Sequence, residues 1–347
     1  MFRHSKIFFP VLLALLFVML VIAIAFGAVS VTPQEMWSAL RHFFAGQEPG
    51  SIHEGVFLQL RLPRVLLCAI TGAILAVSGV LMQGLFRNPV VEPGLAGTSA
   101  GAAFGASFIF VLSGQLGPSF KALTGPLLVP LFAFAGGMLA TWMVYLIAKS
   151  AGRISVISLL LVGLAVNAVG LSGTGFMTYI ARDPQARSIT FWNLGTFSGA
   201  SWLQVFIVGG VALVIFLISF RDARSLNALM LGEEEAAYMG VNTEKLKRRV
   251  MWLNTAMVSV ATAFVGVISF MGLIVPHVMR LLIGSDHKKL LPASMIMGAI
   301  LLTLADLGAR MILAPAEMPI GILTSLVGAP VFIILLKNTD WLKEKTK

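Results

Sequence analysis

Charge is scarce in this chain. Asp, Glu, Lys and Arg make up 12% of its 347 residues, against 58% hydrophobic residues. A soluble domain carries about 25% charged residues, so half that density cannot clothe a body this large. A soluble enzyme, a nucleic-acid-binding domain and a disordered chain all fit poorly, and an integral membrane protein fits well. Cysteine is almost missing: Cys68, inside the apolar run 65–77, has no intramolecular disulfide partner and reads as small core filler. No G-x-x-x-x-G-K-[ST] occurs, which excludes nucleotide binding through a P-loop. His4, His42, His53, His277 and His287 lack metal-ligand spacing, so no metal centre is expected.

Charges inside apolar runs are rarer still. Asp306 alone lies well within one, with Arg310 a helical turn later, and an internal ion pair at a helix end is expected. Secondary transporters usually carry intramembrane relays. A chain with neither relay nor P-loop draws its driving force from another subunit.

What the sequence has in abundance is long apolar runs. A helical span needs about 20 apolar residues, and ten candidates emerge: 8–28, 64–85, 95–112, 127–148, 154–180, 202–220, 250–268, 272–283, 291–313 and 320–336. The first follows Arg3 and Lys6 and exceeds a secretory h-region, so it is read as a retained span despite the Ala28-Val29-Ser30 tripeptide. The run 272–283 is too short for a straight lipid-facing rod, and is expected to be broken or packed inside the bundle.

Ten spans put both termini on one side, and basic residues choose it. With both ends cytoplasmic, that side holds Arg3, Lys6, Arg87, Lys149, Arg153, Arg221, Arg224, Lys245, Lys247, Arg248, Arg249, Lys288, Lys289, Lys337, Lys343, Lys345 and Lys347. These are 17 of the 25 Lys and Arg residues. The other side holds 7: Arg41, Arg61, Arg64, Lys121, Arg182, Arg187 and Arg310. The net charge of +10 therefore describes topology rather than nucleic-acid binding.

Three patterns invite a chemical reading. Residues 225–238, with Ser225 as N-cap and Glu233, Glu234 and Glu235 in the run, predict a short acidic helix outside the membrane, ending near Gly240. Gly97, Gly101 and Gly105 form a stripe that lets neighbouring helices approach closely. Gly97-Thr98-Ser99-Ala100-Gly101 matches a G-x-S-x-G nucleophile elbow, which needs a strand before the serine; a loop with two prolines precedes it here, which disfavours a hydrolase.

Motifs spread along the chain resemble the FecCD-type permease family, membrane subunits of ABC importers for iron chelates, haem and cobalamin. They are Arg61-Leu62-Pro63-Arg64, Ser78-Gly79-Val80-Leu81-Met82-Gln83, Arg87-Asn88-Pro89-Val90-Val91-Glu92-Pro93-Gly94, and the glycine stripe. Thr190-Phe191-Trp192, Leu231-Gly232-Glu233-Glu234-Glu235-Ala236-Ala237-Tyr238-Met239-Gly240, and Phe270-Met271-Gly272-Leu273-Ile274-Val275-Pro276-His277 follow. Ala316-Glu317-Met318-Pro319-Ile320-Gly321 and Gly328-Ala329-Pro330 complete the match.

The resemblance implies one all-α transmembrane domain over 1–347: ten helices in a type II ABC importer permease fold, forming a homodimer in the bacterial inner membrane with the pathway at its interface. It implies two partner ATPases, which hold the ATP and magnesium, and a substrate-binding protein, periplasmic or surface-tethered. This chain itself would bind no cofactor and no nucleic acid, its remaining partner being membrane lipid.

By motif position, segment 225–240 would couple to the ATPase through Ser225, Leu226, Leu231, Gly232, Glu233, Glu234, Glu235, Ala236, Tyr238 and Gly240. Arg61, Arg64 and Arg310 would receive carboxylates of the binding protein, and Asn167, Phe176, Met177, Phe191 and Trp192 would lie along the pathway. The 88–94 variant resembles haem permeases more than ferric-siderophore ones, with siderophore and cobalamin as alternatives. A proton-coupled secondary transporter is the competing class.

Overall fold

The computed structural model describes residues 7–27, 31–113, 125–150 and 153–344. Ala28, Val29 and Ser30, together with Arg3, Lys6, Lys121, Lys345 and Lys347, lie outside the described residues. The regular structure of the described residues is helical except for a two-residue antiparallel pairing of Lys149 and Ser150 with Ile154 and Arg153. The helices are α1 (Phe8–Ala25), α2 (Pro33–Phe44), α3 (Ile52–Val56), α4 (Leu62–Phe86), α5 (Thr98–Leu112), α6 (Leu128–Ala148), α7 (Val156–Ile180) and α8 (Asp183–Asn193). After them come α9 (Trp202–Arg221), α10 (Ala223–Leu231), α11 (Glu233–Tyr238), α12 (Thr243–Val265), α13 (Met271–Ile283), α14 (His287–Met311) and α15 (Ile320–Glu344).

Each of the ten apolar runs falls on one helix. Among the described residues, six helical stretches are long and apolar enough to cross a membrane: α1, α3 to α4, α6 with the short turn before it, α7, α9 and α14. α5, α13 and the apolar part of α15 are shorter. α12 mixes a charged first half with an apolar second half, because its N-terminal turns lie among the basic connections.

A one-turn π-helix, Phe57–Arg61, joins α3 to α4. Pro63 follows it, and a proline has no N–H to give the preceding turn, so the wider turn relieves the mismatch. The two long connections 30–63 and 181–201 contain α2 and α8. Thr32 and Glu35 cap α2 reciprocally, and hydrogen bonds from Thr32 hold the Glu35 carboxyl below its ordinary value.

α4 is the axis of the bundle. Every residue from 71 to 86 is buried, packed by α14, α12, α13 and α9. Inside it, Ser78 hydrogen-bonds Asn254 of α12, which also donates to the Pro93 carbonyl at 3.2 Å. α7 is the opposite case: only Leu159, Gly163, Gly170 and Thr174 are buried along its length. Its exposed Leu161, Val169 and Leu171 are at home in lipid or against another apolar surface.

The glycine stripe packs as expected. A side chain at Gly101 would collide with the Gly136 carbonyl of α6, and one at Gly136 with the Gly101 carbonyl. The two backbones touch without side chains between them. The short run 272–283 is indeed interior: α13 buries Met271, Gly272, Leu273, Val275, Pro276, His277, Met279 and Ile283. A break at residues 266–270 separates it from α12, with Phe270 in left-handed backbone at φ 67°.

Candidate coupling and docking surfaces

The acidic segment forms two helices, not one. α10 begins at Ala223, so Ser225 sits inside its first turn and caps nothing. The chain then breaks at Gly232, whose φ of 150° and ψ of 160° suit glycine and essentially no other residue. α11 follows, with Glu233, Glu234 and Glu235 in its first turn, where carboxylates complement the helix dipole. The end near Gly240 is as expected, with Gly240 at φ 81°.

One face of this segment is anchored. Ala223, Leu226, Ala228 and Leu229 of α10 and Ala236 of α11 are buried. Asn227 donates to Asp286 Oδ1 at 2.6 Å and accepts from the His287 backbone N–H at 2.8 Å, tying α10 to the start of α14. Burial works against the Asp286 carboxylate, yet the Asn227 hydrogen bond brings its pKa below the ordinary value. Glu233 reaches Lys247 Nζ at 2.6 Å; that ammonium also holds Glu244 Oε1 at 3.0 Å and the Ile154 carbonyl at 3.1 Å. The other face is bare: Glu234 and Glu235 are exposed beside Leu231, Met239 and Tyr238, the last at 90%. An apolar tip ringed by carboxylates is a surface that another protein can cover.

At the opposite end of the bundle the three arginines come together, but they point inward. Arg61 is 6% exposed and donates from Nη1 to the Ile24 and Ala25 carbonyls, both at 2.7 Å. Arg310 donates to the Ala23 carbonyl at 3.0 Å and lies 3.1 Å from Asp306. Both satisfy the orphan carbonyls at the C-terminus of α1, where cations also suit the dipole. Arg64 Nε and Nη2 bond Asp306, while Nη1 bonds both oxygens of Glu317 at 2.8 and 3.0 Å. The expected Asp306–Arg310 pair is therefore part of a four-residue network that includes Arg64 and Glu317. Burial is uneven: the side chain of Asp306 is 2% exposed, those of Arg310 and Arg64 are 7% and 12%, and that of Glu317 is 41%. The free guanidinium surface expected at this end is occupied by partners within the chain.

Between the two ends lies a cavity of about 380 Å³. Asn167 of α7 lines it and donates to the Gly94 and Leu95 carbonyls at 3.3 and 3.4 Å. Ser99 of the elbow-like motif lines it too; a 3-10 turn, Pro93–Ala96, precedes α5, so no strand supports a nucleophile there. Phe176 and Phe191 are exposed and Met177 and Trp192 half-buried; none of the four lines this cavity.

Sequence reading missed Glu92, which lines the same cavity and accepts from the Phe270 backbone N–H at 3.2 Å. It also borders a smaller cavity with Leu75, at the middle of α4, because the 88–97 connection folds back into the bundle. A polar-looking loop in the sequence thus delivers a carboxylate to the level of the core. The Pro and Gly punctuation of 89–94 signals a turn, and nothing in it reveals the turn's depth.

The comparisons agree with this architecture. The model of the FecCD transport family matches residues 15–338. The chain is 42% identical over 281 residues to the hemin transport system permease protein HmuU of Yersinia pestis, covering 81% of this chain and 83% of that one. It is 38% identical over 287 residues to the cobalamin import system permease protein BtuC of Halobacterium salinarum, covering 81% and 73%. Against the Fe(3+) dicitrate transport system permease protein FecD of Escherichia coli it is 36% identical over 300 residues, covering 86% and 90%. A solved inward-facing structure, described as of metal-chelate ABC transporter type, superposes with a TM-score of 0.82 at 31% identity, covering 96% of this chain and 99% of that one. Since the family model runs almost end to end along these helices, the chain belongs to the FecCD transport family.

Proposed function

We propose that the chain is the permease subunit of a binding-protein-dependent ABC importer in the bacterial inner membrane, with haem as its substrate. It works as a homodimer of ten-span subunits with both termini cytoplasmic, and the pathway runs along the dimer interface. The observation that carries this reading is the 223–240 segment, anchored on one face and presenting Leu231, Tyr238 and Met239 among free carboxylates on the other. ATPases dock on that surface, and Asn227 and Lys247 pass their movement to α14 and α12.

At the other end, Arg64 and its neighbours receive carboxylates of the binding protein. Glu317 is the exposed member of that network and the one a partner carboxylate would replace, while Asp306 stays as the internal scaffold. Guanidinium forks match carboxylates bidentately, and such pairs set orientation more than affinity. Asn167, Phe176, Met177, Phe191 and Trp192 belong to the pathway region in this reading. The relatives' names and the 42% identity to a hemin permease support haem; iron(3+)-hydroxamate and cobalamin permeases at 36% and 38% keep ferric siderophores and cobalamin as the alternatives.

The test is reconstitution of the chain with its ATPase and binding protein in vesicles offered haem, ferric siderophores and cobalamin in parallel. ATP-dependent uptake of haem above the others is the expected result. A second reading, proton-coupled transport, has Glu92 in its favour as a carboxylate at the middle of the bundle. Uptake driven by a pH gradient with no ATPase present would establish it.

A further inference from the structure

α12 carries two basic surfaces with opposite fates. Lys247 turns inward and is saturated by Glu233 and Glu244. Lys245, Arg248, Arg249 and Trp252 stand at i, i+3, i+4 and i+7, which places them on one face of the helix. They line a cavity of about 440 Å³ against Ile218 of α9.

Arg249 is partly engaged, with Nη1 on Asp222 Oδ1 at 2.7 Å, and remains half exposed. Among the described residues, neither Lys245 nor Arg248 has a carboxylate within salt-bridge distance, and both are exposed. The groove therefore keeps an excess of positive charge after Asp222 is counted. Its surroundings are apolar. α9 leaves Leu213, Val214 and Leu217 exposed in the turns leading to Ile218. Trp252, against Tyr145 at 6.2 Å between ring centroids, offers an amphipathic ring where the apolar wall meets the cations.

We propose that this groove is a binding site for the headgroup of an anionic phospholipid. The phosphate sits on Lys245, Arg248 and the free part of Arg249, and an acyl chain runs along the apolar face of α9. A soluble anion would have no use for that apolar track, and a basic pocket between helices at the membrane boundary is where anionic headgroups bind. A protein partner matches the groove less well, since the exposed wall beside it is built of leucine and valine and would meet lipid first. The site is independent of which substrate the chain carries.

Native mass spectrometry of the full-length chain in detergent, with added phosphatidylglycerol or phosphatidylcholine, tests this. Wild type should retain phosphatidylglycerol preferentially, and retention should fall as salt rises. Lys245→Gln with Arg248→Gln should lose most of that preference, at roughly five-fold per residue. Lys288→Gln with Lys289→Gln, which removes the same charge at the same end, should keep it. Equal retention of the two lipids by wild type, or equal loss in both double variants, overturns the proposal, and the wild-type measurement decides even if a variant fails to fold. Displacement of the lipid by inorganic phosphate at matched concentration would assign the groove to a soluble anion instead. Unchanged lipid retention in Lys245→Gln/Arg248→Gln, with loss of ATPase assembly, would assign it to a protein contact.

Discussion

Arg64 and Asp306, 242 residues apart, form a fork that joins the start of α4 to the end of α14, with Arg64 Nη2 2.9 Å from Asp306 Oδ1. Both partners are nearly removed from solvent, and Asp306 is the carboxylate that Arg64 shares with the equally buried Arg310. Asp306→Ala should therefore lower stability by about 3–5 kcal/mol, leaving Arg310 without a counter-charge and Arg64 with Glu317 alone. Denaturant unfolding of the purified chain measures this; a loss below about 1 kcal/mol would mean that water reaches the pair.

Glu317 should behave differently. Its side chain is 41% exposed, and exposed ion pairs contribute only about 0.2–1 kcal/mol. Glu317→Gln should leave stability nearly unchanged and should tighten binding-protein docking by up to roughly five-fold, because Arg64 Nη1 no longer has a resident carboxylate. Arg64→Ala should weaken docking. If Arg64→Ala leaves the dissociation constant unchanged, the arginine has only a structural role.

On the coupling segment, position within α11 decides the outcome. Glu234→Lys with Glu235→Lys should uncouple ATP hydrolysis from uptake or prevent ATPase assembly, since both side chains are exposed. Tyr238→Ala should weaken assembly by about 1–2 kcal/mol with no change in melting temperature. Normal, coupled turnover in both variants would move the docking surface elsewhere.

Asn227→Ala removes the link between α10 and the start of α14. ATP hydrolysis should persist while uptake per ATP falls, and a ratio equal to wild type would rule out Asn227 as the transmitting contact.

The same link has a pH signature. The folded pKa of Asp286 is depressed, so its stabilisation is present above the ordinary carboxylate value of about 3.9 and is lost as pH falls through the lower folded value. Wild type should keep most of this contribution at pH 4, whereas Asn227→Ala should lack the part that the hydrogen bond supplies, so the gap between the two proteins should close as pH falls below 4. Acid-unfolding curves of the two proteins that superimpose would contradict this.

Much of the fold was legible because apolar length is a crude and strong signal. All ten apolar runs coincide with helices, and the glycine stripe packs as its spacing predicts. The single acidic helix was not: the backbone freedom of Gly232 is invisible until a φ of 150° uses it, and Asp222 rather than Ser225 precedes the first turn. The three arginines were singled out by motif position alone and their burial was illegible, since the acceptors of Arg61 and Arg310 at Ala23, Ile24 and Ala25 are backbone carbonyls that any sequence possesses. Glu92 escaped because a loop's depth is set by what surrounds it.

The backbone contact between Gly101 and Gly136 has a mechanical consequence. Two helices that meet carbonyl to Cα have no side-chain cushion to compress, so α5 and α6 are displaced together or not at all. Gly163 of α7 meets the Leu95 carbonyl just ahead of α5 in the same way, so movement in the bundle must be taken up at the edges of a stiff plate that includes α7.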